Sequence, residues 1–306
     1  MTNFHPFTIS VPASTANLGP GFDSIGMAVD RYLTLHVSSH DSWMFQADSA
    51  NLEGIPADKS NLIYTSAAWI ADEYGRNLPE GAFVRMKSTI PLSRGFGSSA
   101  SAIVAGIELA DHLLCLRLSD DTKARWASLH EGHPDNVGPS VYGGLIIGSH
   151  RDDATDIVHA GVPDLELVAV IPAYQLSTKA SRGTLPESMT RAEAVEASSV
   201  SNMLTAAILT GDWKLAGKMM KRDRFHRPHR INYIPEWIKA EETAEDLPIY
   251  GATLSGAGPV ILYFVPTGQS TDVINALRGI FPEHEIAELH IDTEGVSVSP
   301  AETPLI

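Results

Sequence analysis

Pro91-Leu92-Ser93-Arg94-Gly95-Phe96-Gly97-Ser98-Ser99-Ala100-Ser101 is the stretch on which the reading of this 306-residue chain turns. It follows a β-rich run at residues 82–88 and opens a helical pattern that begins near Ser99. Glycines permit positive φ and let main-chain N–H groups approach a ligand closely. The first-turn N–H groups of a helix have no internal partner and carry the positive end of its dipole. Together they form a phosphate cradle, and Ser98 and Ser99 add hydroxyls for phosphate oxygens or a magnesium ion. No Gly-Lys-Ser/Thr closes the stretch, so it is not a Walker A loop. No third glycine falls where the dinucleotide fingerprint needs one. A tight glycine turn capped by serine at a helix start is the other reading, and the stretch alone leaves both open.

Outward from this loop, residues 99–116 put Ile103, Ile107, Ala110 and Leu114 on one stripe at helical spacing. Residues 192–209 and 271–279 also read as helices. β-Rich runs fall at 7–11, 33–37, 82–88, 144–147, 165–171 and 260–265. Strands and helices without regular alternation predict an α+β fold rather than a doubly wound sheet. The polar segment 150–163, with Arg151-Asp152-Asp153 and then Gly161 and Pro163, divides the chain into halves of residues 1–160 and 161–306. No internal repeat is evident, which sets solenoids aside.

Composition narrows the class. A hydrophobic share of 43% and a charged share of 19% are ordinary for a globular protein. A formal net charge of −15 argues against nucleic acid or anionic lipid as a partner. The local exception is residues 218–230, with Lys218, Lys221, Arg222, Arg224, Arg227 and Arg230, whose plain reading is a solvated helix end. Cys115 is the single cysteine, so no intrachain disulfide can form and a reducing compartment is expected. Its leucine neighbours predict a buried thiol. No export signal or membrane span is expected from the hydropathy pattern.

Two further motifs flank the loop. Val11-Pro12-Ala13-Ser14-Thr15-Ala16-Asn17-Leu18-Gly19-Pro20-Gly21-Phe22-Asp23 reads as a stiff turn presenting an amide and a carboxylate. Gly251-Ala252-Thr253-Leu254-Ser255-Gly256-Ala257-Gly258-Pro259 is small enough for close backbone approach or close packing. In this order the three resemble the motifs of the GHMP kinases, and the first has the form found in that family's homoserine kinases. Phe96 stands where leucine is usual. Glu131-Gly132-His133-Pro134-Asp135-Asn136-Val137-Gly138, the run from Ser177 to Arg182, and Asp223-Arg224-Phe225-His226-Arg227-Pro228-His229-Arg230 extend the resemblance. In the last, Arg227 and His229 replace the usual Gln and Tyr.

The resemblance implies a two-domain α+β GHMP kinase fold, with a left-handed βαβ unit in the N-terminal domain and a ferredoxin-like C-terminal domain. It implies transfer of the γ-phosphoryl group of ATP to the hydroxyl of L-homoserine, with Mg2+, in the cytoplasm; a homodimer is left open. Phosphoryl transfer asks for positioning and charge neutralisation. The cradle would be residues 91–101, and the metal ligands Ser98 or Ser99 and Glu131. Arg182 and Arg230 would clamp the substrate carboxylate and Asp23 its ammonium, while Asn17, His133 and Asn136 would line the hydroxyl end. Asp135 matches the base proposed in related kinases, with phosphate itself as the other acceptor of the proton. A transition-metal site at His130, Glu131 and His133 lacks a further ligand motif. A GHMP kinase for another alcohol should lack the paired arginines, and an inactive binding protein should have lost the loop or the metal ligands.

Overall fold

The computed structural model describes residues 4–301. In chain order the elements are β1 (Phe7–Ala16), β2 (Ile25–Ser39), β3 (Met44–Ala47), α1 (Leu62–Glu73), β4 (Ala82–Ser88), α2 (Ser98–Leu114), α3 (Asp120–Glu131), α4 (Pro134–Tyr142), β5 (Leu145–His150) and β6 (Thr155–His159). There follow β7 (Glu166–Ile171), α5 (Thr178–Arg182), α6 (Arg191–Leu209), α7 (Trp213–Met220), α8 (Arg227–Arg230) and α9 (Pro235–Thr243). The chain closes with β8 (Gly251–Leu254), β9 (Ile261–Val265), α10 (Ser270–Ile280), β10 (Glu285–Leu289) and β11 (Ser297–Pro300).

The first sheet runs β11-β1-β2-β4-β3, with β5 on β2 and β6 on β5. Its strands β3 and β4 are parallel and joined through α1, a βαβ unit; the other strand pairs described are antiparallel. The second sheet runs β10-β7-β9-β8. Taken in chain order that is 4-1-3-2 with a βαββαβ connection, the ferredoxin-like pattern. Both faces of β7 and β9 are covered. Val168 and Val170 face Trp237 and Leu277 of α9 and α10, whereas Leu167, Ala169 and Ile171 join the large core with Leu204 and Trp213 of α6 and α7. Alternation with period two on a doubly covered strand explains why residues 165–171 read as one apolar run.

Three close approaches seat helices against their neighbours. A Cβ on Gly106 of α2 would lie 2.5 Å from the Ile63 carbonyl oxygen, so α1 and α2 cross nearly in backbone contact. A Cβ on Gly26 of β2 would lie 1.6 Å from the Asp135 carbonyl oxygen, which fixes the start of α4 on the sheet. Gly217 of α7 meets the Tyr250 carbonyl in the same way, at 1.6 Å.

Four expectations change. Residues 11–16, read as a turn, are strand: β1 pairs with β2 as far as Ala16, with a register shift between Pro12 and Ala13 where proline's missing N–H is tolerated. Segment 150–163 is largely the β5–β6 hairpin, and the chain leaves the first sheet only after His159. The last strand, β11, returns to β1, so the 161–306 half contributes to the N-terminal sheet. Cys115 is exposed, because it is the left-handed C-cap of α2 at φ 51° and turns away from the leucines before it.

Candidate active site

The glycine loop meets both flanking motifs through main-chain bonds. Ser14 N donates to the Phe96 carbonyl at 3.2 Å, Gly256 N to Ala16 at 3.1 Å, and Val260 N to Arg94 at 3.3 Å. Gly97 is the N-cap of α2 at φ 63°, with no side chain capping the helix. A Cβ there would lie 2.3 Å from Ser14 Oγ and 2.8 Å from Asn136 Oδ1, so glycine is required by space as well as by φ. Gly95, at φ 94°, passes so close to Ser255 that a Cβ would lie 2.2 Å from its carbonyl oxygen, and Ser255 Oγ donates to the Gly95 carbonyl at 2.6 Å. The small residues of the third motif therefore serve close packing on the loop.

The open end of α2 looks into a polar cleft of about 150 Å³. Ser98, Ser99, Asn17, Asp23, Glu131, His133, Asp135, Asn136, Arg182 and Arg230 all border it, the whole set singled out for metal, substrate and catalysis. Asn17 bridges two motifs, donating from Nδ2 to the Gly256 carbonyl at 3.1 Å and accepting from Asp23 N at 3.0 Å. Asn136 Oδ1 accepts from Ser14 Oγ at 3.0 Å. His133 Nδ1 hydrogen-bonds Asp135 Oδ1 at 2.5 Å. Burial alone would lower the His133 pKa, but the bond to Asp135 and its charge raise it above the ordinary value. Burial also pushes the Glu131 carboxyl up; His133 and Arg182 oppose that and Asp135 adds to it.

The two arginines stand in different circumstances. Arg182 forms a bidentate pair with Asp23, at 3.1 Å to Oδ2 and 2.6 Å to Oδ1. Arg230 is 2% exposed, and its polar contacts are Nη1 to the Gly256 carbonyl at 3.2 Å and to His226 Nδ1 at 3.4 Å. Its Nε has no hydrogen-bond partner among the described residues. Burial first, then the neighbouring Arg182, bring its pKa down to about 10. Asp23, His133 and Asp135 offer ligand atoms within 4.8 Å of one another. Arg182 already takes the Asp23 carboxylate and His133 takes Asp135, so that trio is internally satisfied. His130 is exposed and packs on Trp69 at 5.5 Å, outside the cleft lining.

Several side chains of the eleven-residue loop do not face the cleft. Phe96, Ala100 and Ser101 are buried, and Ser101 Oγ donates to the Pro12 carbonyl at 3.0 Å. Arg94 reaches the Ala173 carbonyl at 2.7 Å, and Pro91 and Leu92 border a separate hollow, Leu92 also lining the apolar cavity. Of the basic run 218–230, Lys218, Lys221, Arg222 and Arg224 are exposed, the second and fourth in surface pairs with Glu245 at 3.6 Å and Glu196 at 2.8 Å, whereas Arg227 is half-buried on Glu241 at 2.6 Å. The pairing with Glu241 gives the unusual Arg227 a structural role.

Sequence reasoning missed an apolar cavity of about 340 Å³ next to the cleft, sharing Ser93, Ser98 and Ser99 with it. Leu52, Ile63, Met86 and Ile90 wall it, with Asn61 at its edge. Its residues come from separate elements, so no local pattern announces it. Phe22 and Thr178 were also passed over as cleft residues, although both stand inside quoted motifs.

Comparison with known proteins gives two family matches: the GHMP kinase N-terminal domain over residues 61–144 and the GHMP kinase C-terminal domain over 204–283. A homoserine kinase of Halalkalibacterium halodurans is 50% identical over 294 residues, covering 96% of this chain and 95% of its own. One from Bacillus licheniformis is 49% identical, covering 95% of each chain. The crystal structure of homoserine kinase from Cytophaga hutchinsonii superposes with a TM-score of 0.84 at 25% identity, covering 98% of this chain and 99% of that one.

Proposed function

The chain belongs to the homoserine kinases of the GHMP kinase family, and on that basis we propose how its cleft divides the work. The protein is a kinase that phosphorylates the side-chain hydroxyl of L-homoserine to O-phospho-L-homoserine, a step in threonine biosynthesis. ATP is the donor. The apolar cavity suits its base, and the uncapped N-terminus of α2 with Gly95 and Gly97 suits its phosphates. Ser98 or Ser99 and Glu131 would hold a magnesium ion, which when bound neutralises charge on the transferred group. These oxygen donors fit a hard cation. Burial disfavours an ionised Glu131 standing alone, and a cation beside it supplies the missing compensation.

The observation that carries the substrate side is Arg230. A guanidinium buried without a carboxylate partner is costly, and an incoming carboxylate removes that cost. Arg182 completes the clamp, and Asp23, now paired with Arg182, takes the substrate ammonium into the same network. Asn17, His133 and Asn136 border the hydroxyl end. Asp135 and Asn136 are the proposed catalytic residues. The bond from His133 fixes the orientation of Asp135, beside which the hydroxyl proton leaves. Asn136, tied to Ser14 and pressed on Gly97, sets the distance between hydroxyl and phosphate cradle. The single cysteine extends the proposal to a cytoplasmic setting.

Specificity constants test the clamp. Arg182→Ala and Arg230→Ala should each lose about one to two decades in kcat/KM for homoserine, the worth of a charged hydrogen bond in a desolvated site. The KM for ATP should stay near its original value, and lysine at either position should rescue only in part. Homoserine lactone should barely distinguish the variants from the unaltered protein. Equal proportional losses with homoserine and lactone would contradict the clamp.

A further inference from the structure

One ring touches both arginines. The Arg182 guanidinium lies over Phe22 at 5.5 Å from the ring centroid and that of Arg230 at 5.7 Å. Phe22 is itself held: it stacks on Phe225 at 5.8 Å with planes 17° apart and meets His226 at 5.7 Å. It borders the cleft beside Asp23, whose left-handed φ of 54° turns the chain so that ring and carboxylate serve neighbouring cations. Two like charges converge here, and among the described residues the only carboxylate bonded to either is Asp23, on Arg182. Arg230 has a carbonyl, an imidazole nitrogen and the ring.

We propose that Phe22 is a positioning residue of the substrate carboxylate site, its ring holding the Arg182 and Arg230 guanidiniums at a spacing that receives one carboxylate. This inference rests on the reading of those arginines as the clamp. A ring face attracts a cation through its quadrupole. It therefore steadies Arg230 without supplying a fixed anion that would compete with the incoming carboxylate. An acidic side chain in the same place would close the site. An aliphatic one would fill the space and give no direction to either charge.

Steady-state kinetics on Phe22→Leu, Phe22→Met, Phe22→Tyr and Arg230→Lys, with homoserine and ATP varied in turn, tests the proposal. Leucine and methionine should raise the KM for homoserine about 5- to 30-fold, the range of a cation–π contact in a partly desolvated site. The KM for ATP and kcat should move less than about threefold. Tyrosine keeps the ring face and should restore homoserine KM to within about threefold. Thermal unfolding identifies any variant that has lost its fold, and the leucine, methionine and tyrosine variants replace one another as the informative comparison. Equal effects of leucine and tyrosine would overturn the proposal, as would a parallel rise in both KM values. A rise for Arg230→Lys with none for Phe22→Leu overturns the ring's role and leaves the clamp standing. No rise for either variant overturns both, and a rise for Phe22→Leu alone shows that the ring does not act through the arginine.

Discussion

His226 sits between the first motif and Arg230. It is fully buried, and its Nε2 lies 3.0 Å from the Gly19 carbonyl while its Nδ1 faces Arg230 at 3.4 Å. A carbonyl can only accept, so Nε2 carries the proton and neutral Nδ1 is the acceptor for the Arg230 Nη1–H. Burial lowers the His226 pKa below 6.5; Asp223 opposes this and Arg230 adds to it. A histidine with a depressed folded pKa charges first in the unfolded chain. Its stabilising contribution is therefore complete above about pH 6.5 and is lost as pH falls toward the folded value. The unfolding midpoint should drop between pH 7.5 and 5.5, and His226→Gln should drop less over the same interval. Identical pH dependence in the two proteins would show that His226 does not titrate this way. The motif around His226 was visible in the sequence, as was Arg230 at its end. That Arg230 is buried and Arg182 ion-paired was not visible, because burial depends on elements more than a hundred residues away.

Among the elements, the loop before α2 was the most legible, since glycine spacing and a helix start are local properties. The reason for each glycine was not local: Gly97 yields to Ser14 and Asn136, and Gly95 to Ser255. Gly97→Ala should accordingly be worse than a left-handed alanine alone, which costs about 1–2 kcal/mol. The added methyl displaces Asn136 as well, so kcat/KM should fall at least about tenfold, with near-normal activity contradicting the packing argument. Helices α2 and α3, which carry Ser98, Ser99 and Glu131 at their cleft ends, are keyed at the other end. Lys123 Nζ lies 2.7 Å from Glu108 and 3.2 Å from Asp111, all three largely buried. Removing one partner of a buried pair costs about 3–5 kcal/mol. Lys123→Met should lower stability to chemical denaturant by roughly that amount, whereas Arg151→Ala, at an exposed pair, should change it by less than about 1 kcal/mol. Comparable effects from the two would remove α2–α3 keying from the account.

For the molecule as a whole, the three motifs were readable one by one and their meeting was not. Asn17 bonds Gly256 across 239 residues of chain, and Ser14 bonds Asn136 across 122. The apolar cavity beside the cleft is assembled from β2, α1, β4 and the start of α2 with the loops between them, and only the glycine loop among these carries a signature of its own. Sequence predicted the α+β class because strands and helices differ in period. It ended β1 at Val11 instead of Ala16 and gave no sign of β11, because pairing partners, not local composition, decide them. Against a net charge of −15, one cleft gathers Arg182, Arg230 and an open helix N-terminus, a combination suited to an anionic nucleotide and a zwitterion together. The direct test is ADP release from ATP and magnesium with homoserine, serine, threonine, mevalonate or shikimate offered singly, repeated in EDTA. Release should be rapid with homoserine alone and abolished by EDTA. Release that prefers mevalonate or shikimate, or that ignores EDTA, would contradict the proposed function.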